Sequence, residues 1–146
     1  MAVLIDTSIL ARMADHADPD RLVAAGAVSK LRHKGEELFI ARQNLYEYWT
    51  VVTRPVYANG LDLPPADALR DIEEFKQRYT IPTDPESLLD EWLKLVSVGP
   101  VIGKQSHDAR VVALMICLSI PSILTFNTPH FARFPQVKAI HPSDVV

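Results

Sequence analysis

The chain has 146 residues, of which 48% are hydrophobic and 23% charged, with 15 Lys and Arg against 18 Asp and Glu. This length fits one domain, residues 1–146, and the ordinary apolar fraction with a net charge of −3 excludes an intrinsically disordered chain. The single cysteine, Cys117, excludes an intramolecular disulfide and a cysteine-based zinc site. The mild acidity excludes a protein that coats nucleic acid by bulk charge, but it leaves room for local contacts to nucleic acid.

Short apolar runs alternate with amphipathic segments along the chain. In chain order we predict a strand over residues 2–5, helices over 7–13 and 18–34, a strand over 38–41, helices over 44–52 and 63–79, a candidate edge strand over 80–83, helices over 84–98 and 106–118, and strands over 122–126 and 137–140. In the helix over 84–98, we expect Leu88, Leu89, Trp92 and Leu95 to face inward. This alternation predicts an α/β fold, a three-layer sandwich with a short, mostly parallel central sheet flanked by helices.

No targeting or membrane-spanning segment is expected. The apolar start reaches a charge at Asp6, too early for the core of a signal peptide. The longest apolar run, residues 111–118, is far shorter than the roughly 18–20 residues needed to span a bilayer. We therefore expect a cytoplasmic protein with no membrane association.

Polar side chains that follow strands are the natural candidates for chemistry, because ligands of open parallel sheets bind beyond the carboxyl ends of the strands. Asp6 directly follows the first predicted strand, and Glu47 lies one turn into the helix after the second. Asp108 lies in the first turn of the most apolar helix, and Asn127 follows the strand over 122–126. We expect these four side chains to meet at one edge of the sheet.

Each acid also has a structural interpretation. Asp6 is a favoured N-cap residue for the helix that begins at Thr7. Asn44 and Glu47 have the spacing of a capping box, in which the acid bonds back to the backbone N–H of the cap residue. Ser106 could cap the next helix, with Asp108 favoured by the positive end of the helix dipole.

The surroundings of two of the acids favour a metal site instead. Glu47 lies among Leu45, Tyr46, Tyr48 and Trp49, and Asp108 shares a helical face with apolar residues, so both carboxylates should be partly buried. Buried like charges raise each other's pKa unless a cation compensates them. Mg²⁺ is a suitable cation, because it takes one or two carboxylates and keeps several waters. Such an ion binds phosphate oxygens and generates hydroxide for in-line attack.

Four segments, in this order, resemble the motifs of PIN-domain nucleases. They are Leu4-Ile5-Asp6-Thr7-Ser8, Asn44-Leu45-Tyr46-Glu47, Ser106-His107-Asp108-Ala109, and Leu124-Thr125-Phe126-Asn127-Thr128 with Phe131 and Phe134. Their spacing and the chain length are similar to those of the VapC group, the toxins of prokaryotic toxin–antitoxin pairs. Each motif alone is weak, whereas the ordered set, from Leu4 to about Pro142, is fairly specific.

The resemblance implies a PIN-like sheet between helices and cleavage of RNA with Mg²⁺ or Mn²⁺. It implies that Asp6 and Asp108 are the main metal ligands, and that Glu47 holds a second ion or positions water. Thr7 and Ser8 would orient Asp6 or contact the scissile phosphate. These residues stand at the positions of the family's acidic triad and of its first motif.

The fourth segment departs from the family pattern, because Asn127 stands where many members carry an acid. An asparagine can bond to phosphate or to a metal-bound water, but it supplies no charge. We interpret His130 as a solvated surface residue and His107 as solvent-facing. Arg110 and Lys104 flank Asp108, and we expect them to meet the RNA backbone.

The sequence therefore predicts a Mg²⁺-dependent endoribonuclease that acts as a toxin and is neutralised by a cognate antitoxin. The resemblance also implies a homodimer. Two alternatives stay open. Asn127 suggests a catalytically weak PIN scaffold that acts mainly as a binding partner, and a metal-dependent phosphatase on a similar α/β fold would use comparable acids.

Overall fold

Four short strands form one sheet in the order β2-β1-β3-β4, and every pair of neighbours is parallel. The strands are β1 (Ala2–Ile5), β2 (Glu37–Phe39), β3 (Ser122–Leu124) and β4 (Lys138–Ile140) in a computed structural model that describes residues 1–146. Because β1 and β3 are the two inner strands, residues that follow them lie at the centre of the carboxyl edge of the sheet.

Seven α-helices surround the sheet. They are α1 (Thr7–Ala14), α2 (Arg21–His33), α3 (Arg42–Thr53), α4 (Pro65–Arg78), α5 (Leu88–Ser97), α6 (Gln105–Leu118) and α7 (Thr128–Phe131). Short 3₁₀ turns occupy Val56–Ala58 and Pro142–Asp144. Gly35, at a φ of 78°, takes the left-handed conformation just after α2, where such a residue commonly ends a helix. No helix has the length and apolar character needed to cross a membrane.

The side chains of β1 alternate between two cores, as the two-residue period of a strand requires. Val3 and Ile5 belong to a core that α1, α2, α3 and α4 complete on one face of the sheet. Leu4 belongs to a second core, built with α5, α6 and α7 on the other face. At about 1.5–3 kcal/mol for each fully buried aliphatic side chain, these cores hold the sheet between its helices. The predicted three-layer α/β sandwich is thereby confirmed.

Four predicted helix starts are wrong by two residues or more. Helix α2 begins at Arg21 rather than residue 18, and α4 begins at Pro65 rather than residue 63. Helix α3 begins at Arg42 rather than residue 44, because Asn44 Oδ1 accepts a hydrogen bond from the backbone N–H of Ala41 (3.2 Å) and caps the helix earlier. Helix α5 begins at Leu88 rather than residue 84, since the preceding residues form a turn. With this start Leu88 and Leu95 are buried, whereas Leu89 is 62% exposed and does not face inward as predicted.

The remaining differences concern short segments. Thr80 pairs with Phe39 through one isolated parallel bridge, so residues 80–83 do not form a full edge strand. Strand β3 ends at Leu124, two residues earlier than predicted. The chain then turns into α7, which was not predicted because four residues are too few for a helical pattern to be read.

Candidate active site

A cleft of about 620 Å³ opens at the carboxyl edge of the sheet. It is lined by residues from four separate parts of the chain, most of them polar. Among them are Asp6, Thr7, Ser8, Arg12, Glu47, Lys104, His107, Asp108, Asn127, His130 and Arg133. The structure therefore brings together the four predicted catalytic residues, as well as Thr7 and Ser8.

Asp6 is held at the floor of the cleft by hydroxyl groups. The residue is 9% exposed, and its Oδ2 atom accepts hydrogen bonds from Thr125 Oγ1 (2.7 Å) and Ser8 Oγ (2.9 Å). Asp6 stands at the N-cap position of α1, but its side chain makes no capping hydrogen bond. The capping interpretation of this side chain is therefore wrong. Both bonds end on Oδ2, so Oδ1 is the oxygen left to bind a ligand.

Ser8 and Thr7 have different surroundings. Ser8 Oγ also accepts a hydrogen bond from the backbone N–H of Phe126 (3.1 Å), so this hydroxyl links α1, Asp6 and the segment after β3. Thr7 is buried, and its Oγ1 accepts a hydrogen bond from Asn44 Nδ2 (3.0 Å). Ser8 thus orients Asp6 directly, whereas Thr7 ties the start of α1 to the start of α3.

Glu47 is half-buried on the side of α3 that faces the cleft. Burial raises the pKa of its carboxyl group, the hydrogen bond from Gln43 opposes this effect, and the charges of Asp6 and Asp108 raise the pKa further. Glu47 lies at the sixth position of a helix that begins at Arg42, so the capping-box interpretation is wrong. Its Oε1 accepts a hydrogen bond from Gln43 Nε2 (3.0 Å), which leaves Oε2 free to face the cleft.

Asp108 is half-buried in the first turn of α6. Burial is the largest cause that raises its pKa, and the charge of Asp6 adds to it, whereas His130 and His107 lower it. The predicted capping role of Ser106 is wrong, because Ser106 lies inside α6 and its hydroxyl donates to the backbone oxygen of Gly103 (2.7 Å). The charge of Asp6 thus acts on both Glu47 and Asp108, which line the same cleft.

Asn127 lies at the N-cap position of α7, and its half-buried side chain lines the cleft. Its backbone N–H donates to Thr125 Oγ1 (2.9 Å), the same hydroxyl that donates to Asp6. His130 and His107 are exposed, as predicted, yet both also line the cleft. The two imidazoles are therefore surface residues placed beside Asp108.

The cationic side chains of the cleft differ in part from those predicted. Lys104 and Arg133 line it, and so does Arg12, which was not predicted. Arg12 pairs with Asp20 (2.7 Å), and its guanidinium carbon lies 4.3 Å from the centre of the Phe126 ring. An arginine in the second turn of α1 could have been found from the helical spacing, since it stands four residues after Ser8.

Arg110 was predicted to contact the substrate, but the structure does not bring it into the cleft. Its guanidinium pairs with Asp84 (2.9 Å) and donates to Gln43 Oε1 (3.0 Å). On a helix, residues two apart point about 200° apart, so a neighbour of Asp108 in sequence is not its neighbour in space.

The donor set fits a hard divalent cation with few protein ligands. No three His, Cys, Asp or Glu side chains are grouped closely enough to enclose an ion. Mg²⁺ does not require such a cage, because one or two carboxylates and several waters satisfy it. Carboxylate oxygens, partial burial and mutual repulsion are the features that such an ion would compensate.

The fold of the chain is similar to that of several solved structures. No family model and no curated protein matches the chain. A chain of VapBC2 from Rickettsia felis, solved with a DNA fragment of the promoter, is similar with a TM-score of 0.72 and 16% identity, over 97% of this chain and 98% of that one. VapBC-1 from nontypeable Haemophilus influenzae gives 0.72 and 18%, over 99% and 100%. VapC20 from Mycobacterium tuberculosis, a toxin that cleaves the sarcin-ricin loop, gives 0.63 and 15%, over 90% and 95%.

These likenesses cover nearly the whole chain, and at such low identity they show its fold. The chain has the PIN-like α/β fold that the sequence predicts. The predicted resemblance to VapC proteins is confirmed at the level of that fold.

Proposed function

We propose that this protein is a metal-dependent endoribonuclease of the VapC type, the toxin of a toxin–antitoxin pair. One observation carries the proposal. Asp6 directly follows β1, Glu47 lies on α3 and Asp108 on α6, and all three line one cleft at the carboxyl edge of the sheet. The similarity of the fold to VapC20, which cleaves RNA of the sarcin-ricin loop, supports the choice of RNA as substrate.

In this proposal the carboxylates of Asp6 and Asp108 would hold Mg²⁺ or Mn²⁺, and Glu47 lines the same cleft. A bound ion of this kind would polarise a phosphate oxygen and lower the pKa of a water. Thr125 and Ser8 fix the orientation of Asp6 through their bonds to Oδ2.

Glu47 is suited to accept a proton from the attacking water at Oε2, because burial raises the pKa of this carboxyl group above its ordinary value and so makes it a stronger base. Lys104 and Arg133, at the rim of the cleft, are suited to bind the phosphate backbone on either side of the scissile bond. Asn127 can donate a hydrogen bond to a phosphate oxygen. The cleft therefore supplies local positive charge to a protein whose net charge is −3.

Replacing Asp6 with asparagine tests this function. The purified protein, freed of any partner, should cleave a structured RNA in the presence of Mg²⁺, and chelator or Asp6→Asn should abolish the cleavage. Asp90→Asn is the matched control, since this acid is exposed on α5 outside the cleft, and it should keep wild-type activity. Cleavage that persists in Asp6→Asn would contradict the assignment of the site.

A catalytically weak scaffold is the second candidate, because Asn127 leaves the fourth segment without a negative charge. Calorimetric titration with Mg²⁺, with and without RNA, separates the two functions. Absence of metal binding together with absence of cleavage would favour the scaffold. Release of phosphate from small phosphomonoesters without RNA cleavage would instead indicate a phosphatase.

We further propose that a cognate antitoxin binds and inhibits this protein in the cytoplasm, and that the toxin forms a homodimer. The VapBC complexes that share the fold support the proposal of an antitoxin. Exposed apolar side chains on α5, Leu89 (62%) and Leu93 (47%), offer a surface for a second copy. Light scattering should give twice the monomer mass of 16.3 kDa, and Leu93→Glu should reduce it to one. Co-expression with the product of the neighbouring reading frame should abolish RNA cleavage.

A further inference from the structure

The side-chain amide of Gln43 bridges two walls of the cleft. Its Nε2 atom donates one hydrogen bond to Glu47 Oε1 (3.0 Å) on α3 and one to the backbone oxygen of His107 (2.9 Å) on α6. Its Oε1 atom accepts a hydrogen bond from Arg110 Nη1 (3.0 Å). Arg110 is held in turn by Asp84 through an ion pair of 2.9 Å. Both N–H groups of the Gln43 amide therefore donate a hydrogen bond.

The chemistry of these partners fixes the orientation of the amide. A guanidinium only donates, so the oxygen of Gln43 must face Arg110. A carboxylate and a backbone carbonyl only accept, so the nitrogen must face Glu47 and His107. Turning the amide over would place donor against donor and acceptor against acceptor. Arg110 thus fixes the direction of the Gln43 amide together with Glu47 and His107.

We propose that Gln43 is a positioning residue that sets the separation of Glu47 and Asp108, and that Arg110 acts through Gln43. The bond to His107 fixes the backbone next to Asp108, while the bond to Glu47 fixes the carboxylate on the opposite wall. The proposal rests on the proposed nuclease function for its catalytic meaning. It replaces the predicted contact between Arg110 and the substrate with an indirect role.

A double-mutant cycle on RNA cleavage tests the proposal. Gln43→Met keeps the length of the side chain and removes all three hydrogen bonds. Groups that orient metal-binding residues typically contribute 10- to 100-fold to activity, so Gln43→Met should lower kcat by about that factor with little change in KM. Arg110→Met should lower kcat in the same sense, and the double variant should be no worse than Gln43→Met alone. Gln77→Met on the exposed face of α4 is the matched control.

Two results would overturn the proposal. The first is a kcat in the double variant that falls by the product of the two single-variant factors, together with a raised KM for Arg110→Met. This result would show that Arg110 contacts RNA independently of Gln43. A wild-type kcat for Gln43→Met would show that the bridge does not position the acids. Gln43→Glu provides a second variant, since it keeps the acceptor for Arg110 and loses both donors, and it should lose kcat as Gln43→Met does.

Hydrogen exchange of the Gln43 side-chain amide, followed by NMR in the metal-free protein, measures the bridge without any catalysis. Its two protons should exchange more slowly than those of Gln77, and Arg110→Met should accelerate them. Fast exchange in the wild type would overturn the bridge even if RNA is cleaved. Slow exchange in a protein that cleaves no RNA would instead contradict the proposed function and leave the bridge in place.

Discussion

Replacing Thr125 with valine removes the hydroxyl that holds Asp6 and keeps nearly the same shape. Thr125 is fully buried directly after β3, where Oγ1 donates to Asp6 Oδ2 (2.7 Å) and accepts from the backbone N–H of Asn127 (2.9 Å). Valine can do neither. The carboxylate then loses one of its two hydroxyl donors, and a buried N–H loses its acceptor.

The size of the effect follows from these bonds. A hydrogen bond to a charged group contributes about 1.5–3 kcal/mol to stability. At roughly 2.1 cal/mol/K per residue, a chain of this length has an unfolding entropy of about 0.3 kcal/mol/K, so we expect Thr125→Val to lower Tm by about 5–10 °C. Because Asp6 is then held by Ser8 alone and its carboxylate is less firmly oriented, kcat for RNA cleavage should also fall by about 10- to 100-fold.

Thermal unfolding and cleavage kinetics of Thr125→Val and Thr125→Ser provide the assay. Serine keeps the hydroxyl and loses one buried methyl group, which costs about 1 kcal/mol, so it should lower Tm by about 3 °C and keep most of the activity. The reasoning is refuted if Thr125→Ser loses as much activity as Thr125→Val. It is equally refuted if Thr125→Val cleaves RNA at the wild-type rate.

The other predictions concern pH and ions. Burial and like charges raise the pKa of Glu47 in the folded protein above its ordinary value of 4.5, which is its value in the unfolded chain. Protonation of Glu47 therefore stabilises the folded state. This stabilisation is fully present below pH 4.5 and is lost as the pH rises through the raised pKa. Urea unfolding should therefore show Glu47→Gln to be more stable than the wild type at pH 7 and equal to it at pH 3.5. Asp108→Asn should behave alike, because its pKa is raised from 3.8. Mg²⁺ should raise the Tm of the wild type more than that of Glu47→Gln, since an ion offsets the repulsion. Tyr48→Phe removes a partly buried 2.6 Å hydrogen bond to Asp71, so it should cost about 1.5 kcal/mol at pH 7. This cost should shrink above pH 10, where unfolding lets the tyrosine of the wild type ionise.

The location of the site could be predicted because it depends on the alternation of apolar strands with helices along the chain. Apolar runs that end in Asp6 and just before Asn127 mark strand ends, and a parallel sheet brings such ends to one edge. The placement of Glu47 and Asp108 follows from the same alternation of strands and helices. At these positions the strands and helices predicted from the local sequence match the topology of the sheet. Residues far apart in sequence could therefore be assigned to one cleft.

The contacts that orient the acids could not be predicted. Thr125 and Gln43 are ordinary polar residues in the sequence, and their partners are fixed only when strands and helices pack. Arg110 was misplaced because closeness in sequence was taken for closeness in space. Leu89 was misplaced for a related reason, since its orientation depends on the first residue of α5, and the turn before Leu88 shifts that start by four residues.

The hydrogen bond between Thr125 and Asp6 joins residues 119 positions apart. During synthesis the N-terminal strand with its aspartate emerges first, yet β1 can pair with β3 only after most of the chain has been made. Until then the carboxylate lacks both the hydroxyl donor of Thr125, directly after β3, and the wall of the cleft formed by residues 127–133. A nascent or truncated chain that ends before Ser122 therefore carries the acidic residues without a working arrangement of them. The order of synthesis itself therefore delays the assembly of the cleft.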